Sequence, residues 1–515
     1  MAWKEERRKE YQQKYKEVIL SGGKSKIEKE HLKGKLTARE RMEQLFDNGY
    51  FQELNSFTES RNIFDGIEKK HYMGDGVITG YGMVDGRIVY AASQDCMISG
   101  GAGGEAHIQK ICHALELAIK TKSPMVFFCD SGGARIEEGI LSLSAYSRLF
   151  YLNTKASGYI PQIAAVMGNC AGGSSYSPAL CDLVFMVEKT SQFFITGPKV
   201  IKALTGEIVT MDELGGSDIH AHISGQVQVV CKTDQECIAE IRRTLTFLAD
   251  SQNNINVKKS KQYAEKLERI EDIVPENSRY SYDVKEVIHC IVDREDFMEL
   301  SPKFASNIVI GLARMGEKTI GIVANQPKVF GGALDCDAAD KGARFIRFCD
   351  CFNIPILVLV DVPGFYPGTL EEQKGILRHG SKMLYSFAEA SVPKVTLIMR
   401  KAYGGAYCAM NSKMLGADMV YAWPTCEIAV MGADGAVDVI YHKEIENSDE
   451  PDRVRKEKIK DYEEKYLNPY YAASVSLVDE IIMPEETREK LMLAFKVLEN
   501  KKEQLVEKKH GNMPL

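Results

Sequence analysis

Two pairs of adjacent glycines are the residues in this chain whose type and spacing could do chemistry. Gly172-Gly173 follows the apolar run "PQIAAVMG", and Gly404-Gly405 follows the similar run "PKVTLIM". Where a strand ends at two glycines and a helix begins, backbone N–H groups lack partners, and a ligand can approach them closely. Such a turn can stabilise negative charge on oxygen, so each pair is a candidate oxyanion hole. The alternative is that each pair only permits close packing at a strand end.

No side-chain nucleophile or base accompanies either glycine pair. Ser174 and Ser175 follow the first pair instead of lying between glycines, so there is no GxSxG elbow. The sequence also contains no phosphate-binding P-loop, no GxGxxG and no HExxH motif. We interpret His107, His113, His220 and His222 as ordinary helix or loop residues. The pattern therefore indicates a chemistry with two oxyanion holes and no dedicated nucleophile.

The elements that position the glycine pairs occur twice in the sequence. The apolar run "PMVFFCD" ends at Asp130, and "PILVLVD" ends at Asp361, 231 residues later. The glycine pairs are 232 residues apart, and the runs "SQFFITG" and "CEIAVMG" end at Gly197 and Gly432, 235 residues apart. A slowly drifting offset is what small loop insertions produce. The chain therefore looks like an internal duplication.

Alternating short apolar runs and amphipathic stretches predict the fold of each half. The amphipathic stretches 105–122 and 341–355 follow runs typical of buried strands, which predicts helices packed on mostly parallel sheets. A chain of 515 residues is too long for one ordinary core. We expect two tandem α/β domains, 1–257 and 258–515, with the boundary in the polar stretch 250–282.

Composition and charge exclude several functions. A net charge of −7 argues against nucleic-acid binding, and no apolar run is long enough to cross a membrane. The charged N-terminus lacks a secretory signal, and thirteen scattered cysteines without CxxC pairs favour reduced thiols, no metal and a cytoplasmic location. Residues 1–42 carry a local charge of +6. This arm is either a solvated helix or a segment that approaches an anionic ligand or a partner chain.

A series of longer motifs in a fixed order carries a family resemblance. The motifs are "KGKLTARERMEQLFDNG" (33–49), "DSGGARIEEGI" (130–140), "AGGSSYSPAL" (171–180), "GGALDCDAADKGARF" (331–345), "VDVPGFYPG" (360–368) and "RKAYGGAY" (400–407). With them, the chain resembles the carboxyltransferase (β) subunits of biotin-dependent acyl-CoA carboxylases. It is most similar to the group of propionyl-CoA carboxylase, methylmalonyl-CoA decarboxylase and transcarboxylase.

The resemblance implies both a fold and a reaction. The fold would be two crotonase-like (ClpP/crotonase) domains, each a β-β-α superhelix, with 1–257 on the CoA side and 258–515 on the biotin side. The reaction moves a carboxyl group between N1′ of biotin and the α-carbon of a short-chain acyl-CoA, such as propionyl-CoA or methylmalonyl-CoA. The thioester oxygen and the biotin ureido oxygen each become an anion, which explains two oxyanion holes. In this family the ureido anion takes the α-proton, which explains the missing base.

The resemblance also assigns residues to these roles. The thioester oxyanion would lie at Gly172 and Gly173, and the ureido oxyanion at Gly405 and Ala406. The remaining implied residues are Gly132, Gly133, Ala134, Arg135 and Cys408 for substrate, and Gly331, Gly332, Pro363, Gly364, Phe365 and Gly404 for biotin.

Three of the nearby side chains carry a second interpretation. Arg135 would complement the charge of CoA or form a structural ion pair. We expect Asp130 and Asp361 to cap turns and not to react.

Cys408 departs from the family pattern. It stands where propionyl-CoA enzymes tend to carry aspartate, which leaves the acyl chain open. We favour an apolar wall of the acyl pocket over a reactive thiol.

The partners follow from what the sequence lacks. It has no biotin-attachment lysine between two methionines and no ATP-binding segment, so we expect biotin on a carrier protein or biotinylated subunit, together with biotin carboxylase or decarboxylase-pump subunits. The family usually forms hexameric rings, with each active site between the N-terminal domain of one subunit and the C-terminal domain of another. The alternatives are the α subunit of a sodium-pumping methylmalonyl-CoA decarboxylase, a crotonase-type hydratase and a non-catalytic scaffold subunit.

Overall fold

The chain forms two compact units, each built around one β-sheet. The structure is a computed structural model that describes residues 2–20, 22–60, 72–249, 270–293, 296–316, 318–503 and 506–514. The units are Met1–Val257 and Lys258–Leu515, and the boundary between them lies outside the described residues. Within the described residues each unit contains an eight-stranded sheet.

The first unit combines an antiparallel edge with a parallel centre. Its strands are β1 (Phe51–Leu54), β2 (Val77–Val84), β3 (Arg87–Gln94), β4 (Met125–Ser131), β5 (Gln162–Ala171), β6 (Leu183–Val187), β7 (Gln192–Phe194) and β8 (Val229–Cys231). The strand order is β1-β2-β3-β4-β5-β6-β8, and β7 pairs with β5. Strands β1 to β3 are antiparallel to one another, and the other pairs are parallel. The prediction of a mostly parallel sheet is confirmed.

The helices of the first unit cover this sheet. They are α1 (Ala2–Ile19), α2 (Lys24–Leu32), α3 (Ala38–Leu45), α4 (Glu105–Thr121), α5 (Ile140–Ala156), α6 (Gly173–Ala179), α7 (Pro198–Thr205), α8 (Met211–Gly215), α9 (Ser217–His222) and α10 (Asp234–Ala249). Helix α4 matches the predicted stretch 105–122 to within one residue. It buries one face against the sheet, as its spacing of apolar residues requires.

The second unit repeats the same plan. Its strands are β9 (Phe297–Leu300), β10 (Ile308–Met315), β11 (Lys318–Asn325), β12 (Ile356–Val362), β13 (Lys394–Tyr403), β14 (Met419–Ala422), β15 (Glu427–Ala429) and β16 (Glu480–Ile481). The order is β9-β10-β11-β12-β13-β14-β16, and β15 pairs with β13. Each strand thus has the position and direction of its counterpart in the first unit.

The helices of the second unit include one that begins earlier than the sequence predicts. They are α11 (Ile270–Ile273), α12 (Val284–Ile291), α13 (Cys336–Cys351), α14 (Thr369–Lys374), α15 (Ile376–Glu389), α16 (Gly404–Ala409), α17 (Ala433–Ile440), α18 (His442–Glu446), α19 (Pro451–Tyr466), α20 (Pro469–Ser474) and α21 (Thr487–Val497). Helix α13 begins five residues before the predicted stretch 341–355, because the Asp335 side chain accepts a hydrogen bond from the Ala338 N–H at 2.8 Å and starts the helix there.

Details of strand pairing confirm the duplication. The β4/β5 pairing shifts register between Cys129 and Ser131, and the β12/β13 pairing shifts between Val360 and Val362. A loss of register at the same place in both sheets is not expected of two unrelated α/β units. The shift lies at the carboxyl ends of the central strands, where ligands bind in parallel α/β sheets.

The central strands anchor both units. Every residue of β4 and β12 is buried, as is typical of parallel strands covered on both faces. Each fully buried Val, Leu, Ile or Phe contributes about 1.5–3 kcal/mol, so β4 and β12 belong to the most stable part of each unit, and each pairs with the strand that carries a glycine pair. Among the described residues, no helix combines the length and apolar composition that a bilayer crossing requires.

Candidate functional site

The first glycine turn joins β5 to α6. Gly172 has a φ of 58°, a conformation that favours glycine. Its N–H donates to the backbone carbonyl oxygens of Phe194 at 3.1 Å and Ile195 at 3.0 Å, at the end of β7. The Gly172 amide is therefore engaged inside the unit. What Gly172 supplies is the sharp reversal of the backbone.

The next two amides of this turn open a helix. Gly173 and Ser174 are the first two residues of α6, so their N–H groups have no carbonyl partner within that helix. The Ser174 hydroxyl donates to the Ala171 carbonyl oxygen at 2.8 Å, and the Ser175 N–H donates to the Gly172 carbonyl oxygen at 3.1 Å. These bonds fix the turn and leave the Gly173 and Ser174 amides as the adjacent donor pair.

The second glycine turn has the same form. Gly404, the first residue of α16, also has a φ of 58°. Gly405 and Ala406 belong to the first turn of α16, so their N–H groups have no carbonyl partner within that helix. The 232-residue offset aligns this pair with Gly173 and Ser174. Ser174 was therefore missed by residue-type reasoning, although the offset itself was enough to find it.

An aromatic ring lies beside each amide pair. A Cβ atom added to Gly173 would lie 3.7 Å from the buried Tyr146 ring, which α5 supplies. A Cβ atom added to Gly405 would lie 3.7 Å from the Phe365 ring, which follows β12. A ring in this place excludes water from one side of the donors, and amide donors stabilise charge more strongly where water is excluded.

Equivalent glycine loops border the two turns. Gly101 and Gly332 pass so close to the carbonyl oxygens of Asp130 and Asp361 that neither position has room for a Cβ atom. The structure places the remaining predicted glycines in these loops and in the loops beside them: Gly132, Gly133, Gly331 and Gly364. Equivalent backbone bonds join the neighbouring loops: Gly103 N–H donates to the Gly133 carbonyl oxygen at 2.8 Å, and Leu334 N–H donates to the Gly364 carbonyl oxygen at 3.1 Å. Backbone thus surrounds each amide pair.

Arg135 forms a buried ion pair. Its Nη1 lies 2.7 Å from Asp75 Oδ1 and 2.8 Å from Glu138 Oε1, and its Nη2 donates to the Ala102 carbonyl oxygen at 2.9 Å. The side chain is buried and both carboxylate partners are inside the unit. This is the structural ion pair of the two interpretations given above, and it holds the loop that contains Gly132, Gly133 and Ala134.

Asp130 and Asp361 form buried ion pairs, and the expectation that they cap turns is wrong. Asp130 Oδ2 lies 2.5 Å from Lys35 Nζ and 3.4 Å from Arg41 Nη1. Asp361 Oδ2 lies 2.9 Å from Arg400 Nε, and burial raises the pKa of Asp361 while Arg400 partly offsets that increase. The arginine comes from α3 in the first unit and from β13 in the second. Both carboxylates are buried and each is paired with a cation.

The other predicted residues take unremarkable positions. Cys408 lies on α16 and is exposed, three residues after Gly405. Pro363 directly precedes Gly364 and Phe365 at the end of β12. The described residues contain no group of three or more His, Cys, Asp or Glu side chains that could hold a metal ion.

A cavity with several lysines lies beside the first unit's glycine loops. Its volume is about 450 Å³, and it is lined by Glu30, Lys33, Lys35, Cys96, Gly100, Asp130, Asn169, Lys189 and Thr190. Helix α1 is exposed over most of its length, as expected of a solvated helix, but the basic arm contributes Lys33 and Lys35 to this cavity. Both lysines belong to the basic arm, residues 1–42, for which the sequence left two interpretations open: a solvated helix, or a segment that approaches an anionic ligand or a partner chain.

Comparison with known proteins identifies the family. A family model described as the carboxyl transferase domain matches residues 29–513, and the chain therefore belongs to the carboxyl transferase domain family. The predictions of a carboxyltransferase and of two crotonase-like units are confirmed. The match does not favour a hydratase or a scaffold subunit.

The similar proteins cover almost all of the chain. It is 49% identical over 510 residues to the methylmalonyl-CoA decarboxylase subunit alpha of Propionigenium modestum, covering 98% of both chains. It is 48% identical over 515 residues to the propionyl-CoA carboxylase carboxyltransferase subunit of Haloferax mediterranei, covering 99% of both. The structure of transcarboxylase 12S, a hexamer with methylmalonyl-coenzyme A and methylmalonic acid bound, superimposes with a TM-score of 0.95 at 46% identity, covering 99% of this chain and 98% of that chain.

Proposed function

We propose that this chain moves a carboxyl group between carboxybiotin on a separate carrier and the α-carbon of propionyl-CoA or methylmalonyl-CoA. The observation that carries the proposal is the pair of equivalent amide sites, Gly173-Ser174 and Gly405-Ala406, in a member of the carboxyl transferase domain family. Two anions form in this transfer, one on the thioester oxygen and one on the ureido oxygen. A chain with two oxyanion holes and no exposed base beside them has the groups that such a transfer needs.

The first unit is proposed as the acyl-CoA side. The Gly173 and Ser174 amides would donate to the thioester oxygen as the α-carbon loses its proton, with Gly172 holding the turn. Each amide donor is worth about 3–4 kcal/mol of transition-state stabilisation in enzymes of this kind. The loop of Gly132, Gly133 and Ala134 would border the thioester. Lys189, an exposed lysine of the neighbouring cavity, suits a phosphate group of CoA, because ammonium groups attract phosphate strongly.

The second unit is proposed as the biotin side. The Gly405 and Ala406 amides would donate to the ureido oxygen, and the Phe365 ring would lie against the bicyclic group. The residues proposed to surround it are Gly331, Gly332, Pro363, Gly364 and Gly404. Biotin, when bound on its carrier, supplies the nitrogen that carries the carboxyl group. The residues fit this ligand, because the donors lie in the first turn of a helix and the wall beside them is an apolar ring.

Cys408 is proposed to line the acyl pocket. A thiol is small and apolar, and it would contact the acyl chain without taking part in the transfer. This position would set the specificity of the protein for acyl-chain length.

The assembly is proposed to be a homo-oligomer, hexameric like the transcarboxylase 12S structure. Large apolar side chains are exposed near both glycine turns, namely Ile136, Ile140, Ile195, Leu377 and Val430. Exposed apolar side chains that cluster in this way are typical of subunit contacts. We also propose a cytoplasmic location, and partners that are a biotinylated carrier and the subunit that carboxylates it or, in a decarboxylase complex, the pump subunits.

The carboxyl-transfer step is common to the two kinds of relative. One relative is named a decarboxylase subunit and the other a carboxylase subunit, at 49% and 48% identity. The carboxyl transfer between acyl-CoA and biotin is the step that both names require. The proposal therefore concerns that step, and the partner subunits would decide its direction.

The test is biotin-dependent turnover. The purified full chain is incubated with methylmalonyl-CoA, with and without free biotin, and propionyl-CoA is measured by chromatography. We expect propionyl-CoA only when biotin is present. Malonyl-CoA and ethylmalonyl-CoA, tested in parallel, measure acyl-chain specificity. No biotin-dependent turnover on any of the three would contradict the proposal.

A further inference from the structure

The two glycine turns meet the neighbouring short strand at equivalent places. In the first unit, the Gly172 N–H donates to two carbonyl oxygens at the end of β7. In the second unit, Gly404 passes close to the strand end, with its Cβ position 3.1 Å from the Val430 carbonyl oxygen. The backbone pairing is the same in both units, since Tyr403 pairs with Ala429 as Ala171 pairs with Phe194.

The second unit adds a side-chain contact at this place. The hydroxyl of Tyr403, the last residue of β13, donates to Oε2 of Glu427, the first residue of β15. Strand register identifies the equivalent residues of the two units, because Lys401 pairs with Glu427 as Asn169 pairs with Gln192. Tyr403 therefore corresponds to Ala171, which has no side-chain donor.

The Tyr403 side chain also contacts the residue where the next helix begins. A Cβ atom on Gly432, which precedes α17, would lie 3.5 Å from the Tyr403 ring. Burial and the Glu427 carboxylate both raise the pKa of Tyr403, so the hydroxyl keeps its proton and stays a donor at neutral pH. One side chain thus connects β13, β15 and the start of α17, directly before Gly404.

We propose that Tyr403 is a positioning residue for the Gly405-Ala406 amide pair: its hydroxyl, held by Glu427, restrains the Gly404 turn through a side-chain contact that Ala171 cannot make in the first unit. The orientation of the Gly405 amide depends on the peptide plane that follows Gly404, and a residue with a φ of 58° rotates freely unless its neighbours restrain it. β15 is three residues long, so its backbone pairing alone restrains it weakly. The catalytic part of this inference rests on the proposed function.

The test removes only the hydroxyl. In the full chain, Tyr403→Phe should lower kcat for biotin-dependent propionyl-CoA formation about tenfold, the usual effect of losing one hydrogen bond to a charged group. The KM for methylmalonyl-CoA should stay unchanged, because the first unit is intact. Tyr421→Phe is the matched control: it is a buried tyrosine of the same sheet whose hydroxyl contacts the Met419 sulfur at 3.5 Å. It should leave kcat unchanged.

Substitutions at Glu427 test the contact itself. Glu427→Gln keeps an acceptor oxygen and should retain most of kcat, whereas Glu427→Ala should match Tyr403→Phe. The double variant Tyr403→Phe/Glu427→Ala should be no slower than either single variant, because both remove the same hydrogen bond. Additive losses, or an equal rise in the KM for methylmalonyl-CoA, would overturn the inference and indicate a general structural effect.

Hydrogen exchange gives a result that does not depend on activity. Peptides covering 427–432 should exchange faster in Tyr403→Phe than in wild type or Tyr421→Phe, since β15 loses its side-chain attachment. Unchanged exchange there would overturn the positioning role, even if the wild-type chain transfers no carboxyl group. Faster exchange with an unchanged kcat would overturn the catalytic part alone. An inactive wild type would instead contradict the proposed function.

Discussion

Replacing Gly173 with proline removes one proposed oxyanion donor and little else. Gly173 is the first residue of α6, the helix position that proline tolerates best, because its N–H needs no partner within the helix. Its N–H has no carbonyl partner within α6, so the helix loses no hydrogen bond when that group is removed. A Cβ atom at this position would lie in ordinary contact with the Tyr146 ring, at 3.7 Å.

The structure therefore predicts a large catalytic effect with a small effect on stability. If the Gly173 amide donates to the thioester oxyanion, its loss should raise the barrier by about 3–4 kcal/mol, which lowers kcat by about 100- to 1,000-fold. The free energy of unfolding should change by less than about 1 kcal/mol, because no packing contact is lost and no buried group loses its partner.

Gly173→Ala is the matched control, since it adds the same Cβ atom and keeps the N–H. The assay is biotin-dependent propionyl-CoA formation from methylmalonyl-CoA, and urea denaturation measures the stability of each variant. Gly173→Ala should retain turnover within about tenfold of wild type, the cost of a small steric shift. Equal activities of the proline and alanine variants, with both chains folded, would refute the assignment of this amide.

Three further predictions follow from buried and exposed side chains. Burial lowers the pKa of His107 to about 3, so below about pH 6.5 only the unfolded chain takes up this proton. Between pH 7 and pH 5, wild type should therefore lose about 2 kcal/mol more of its free energy of unfolding than His107→Gln, as measured by urea denaturation. Equal losses in the two proteins would contradict this. Arg400→Met should cost about 3–5 kcal/mol by leaving Asp361 buried and unpaired, and the further change Asp361→Leu should recover most of it. Cys408→Ser should keep kcat within about threefold, whereas a hundredfold loss would indicate a reactive thiol.

The duplicated fold could be predicted because its signals are local. Buried central strands appear in the sequence as continuous apolar runs, and their ends are marked by Asp130 and Asp361 at a nearly constant offset. The antiparallel edge of the first sheet could also have been predicted from the sequence. Strands β2 and β3 are joined at Asp85 and Gly86, both with positive φ, a dipeptide typical of hairpin turns.

The site was only partly predictable, because its details depend on contacts between distant residues. No sequence pattern shows that the Gly172 N–H donates to carbonyl oxygens more than twenty residues later. The buried cations beside Asp130 are Lys35 and, from α3, Arg41, whereas the buried arginine beside Asp361 is Arg400 from β13. A repeat that conserves the carboxylate but takes its arginine from a different element cannot be read from either half alone.

The transfer of a labelled carboxyl group tests the central claim most directly. Methylmalonyl-CoA with ¹³C in its free carboxyl group is mixed with propionyl-CoA deuterated at its terminal methyl group, with and without biotin. If the chain moves carboxyl groups through biotin, mass spectrometry should find methylmalonyl-CoA that carries both labels only in the sample with biotin. Doubly labelled product without biotin, or none with it from a folded wild-type chain, would contradict the account.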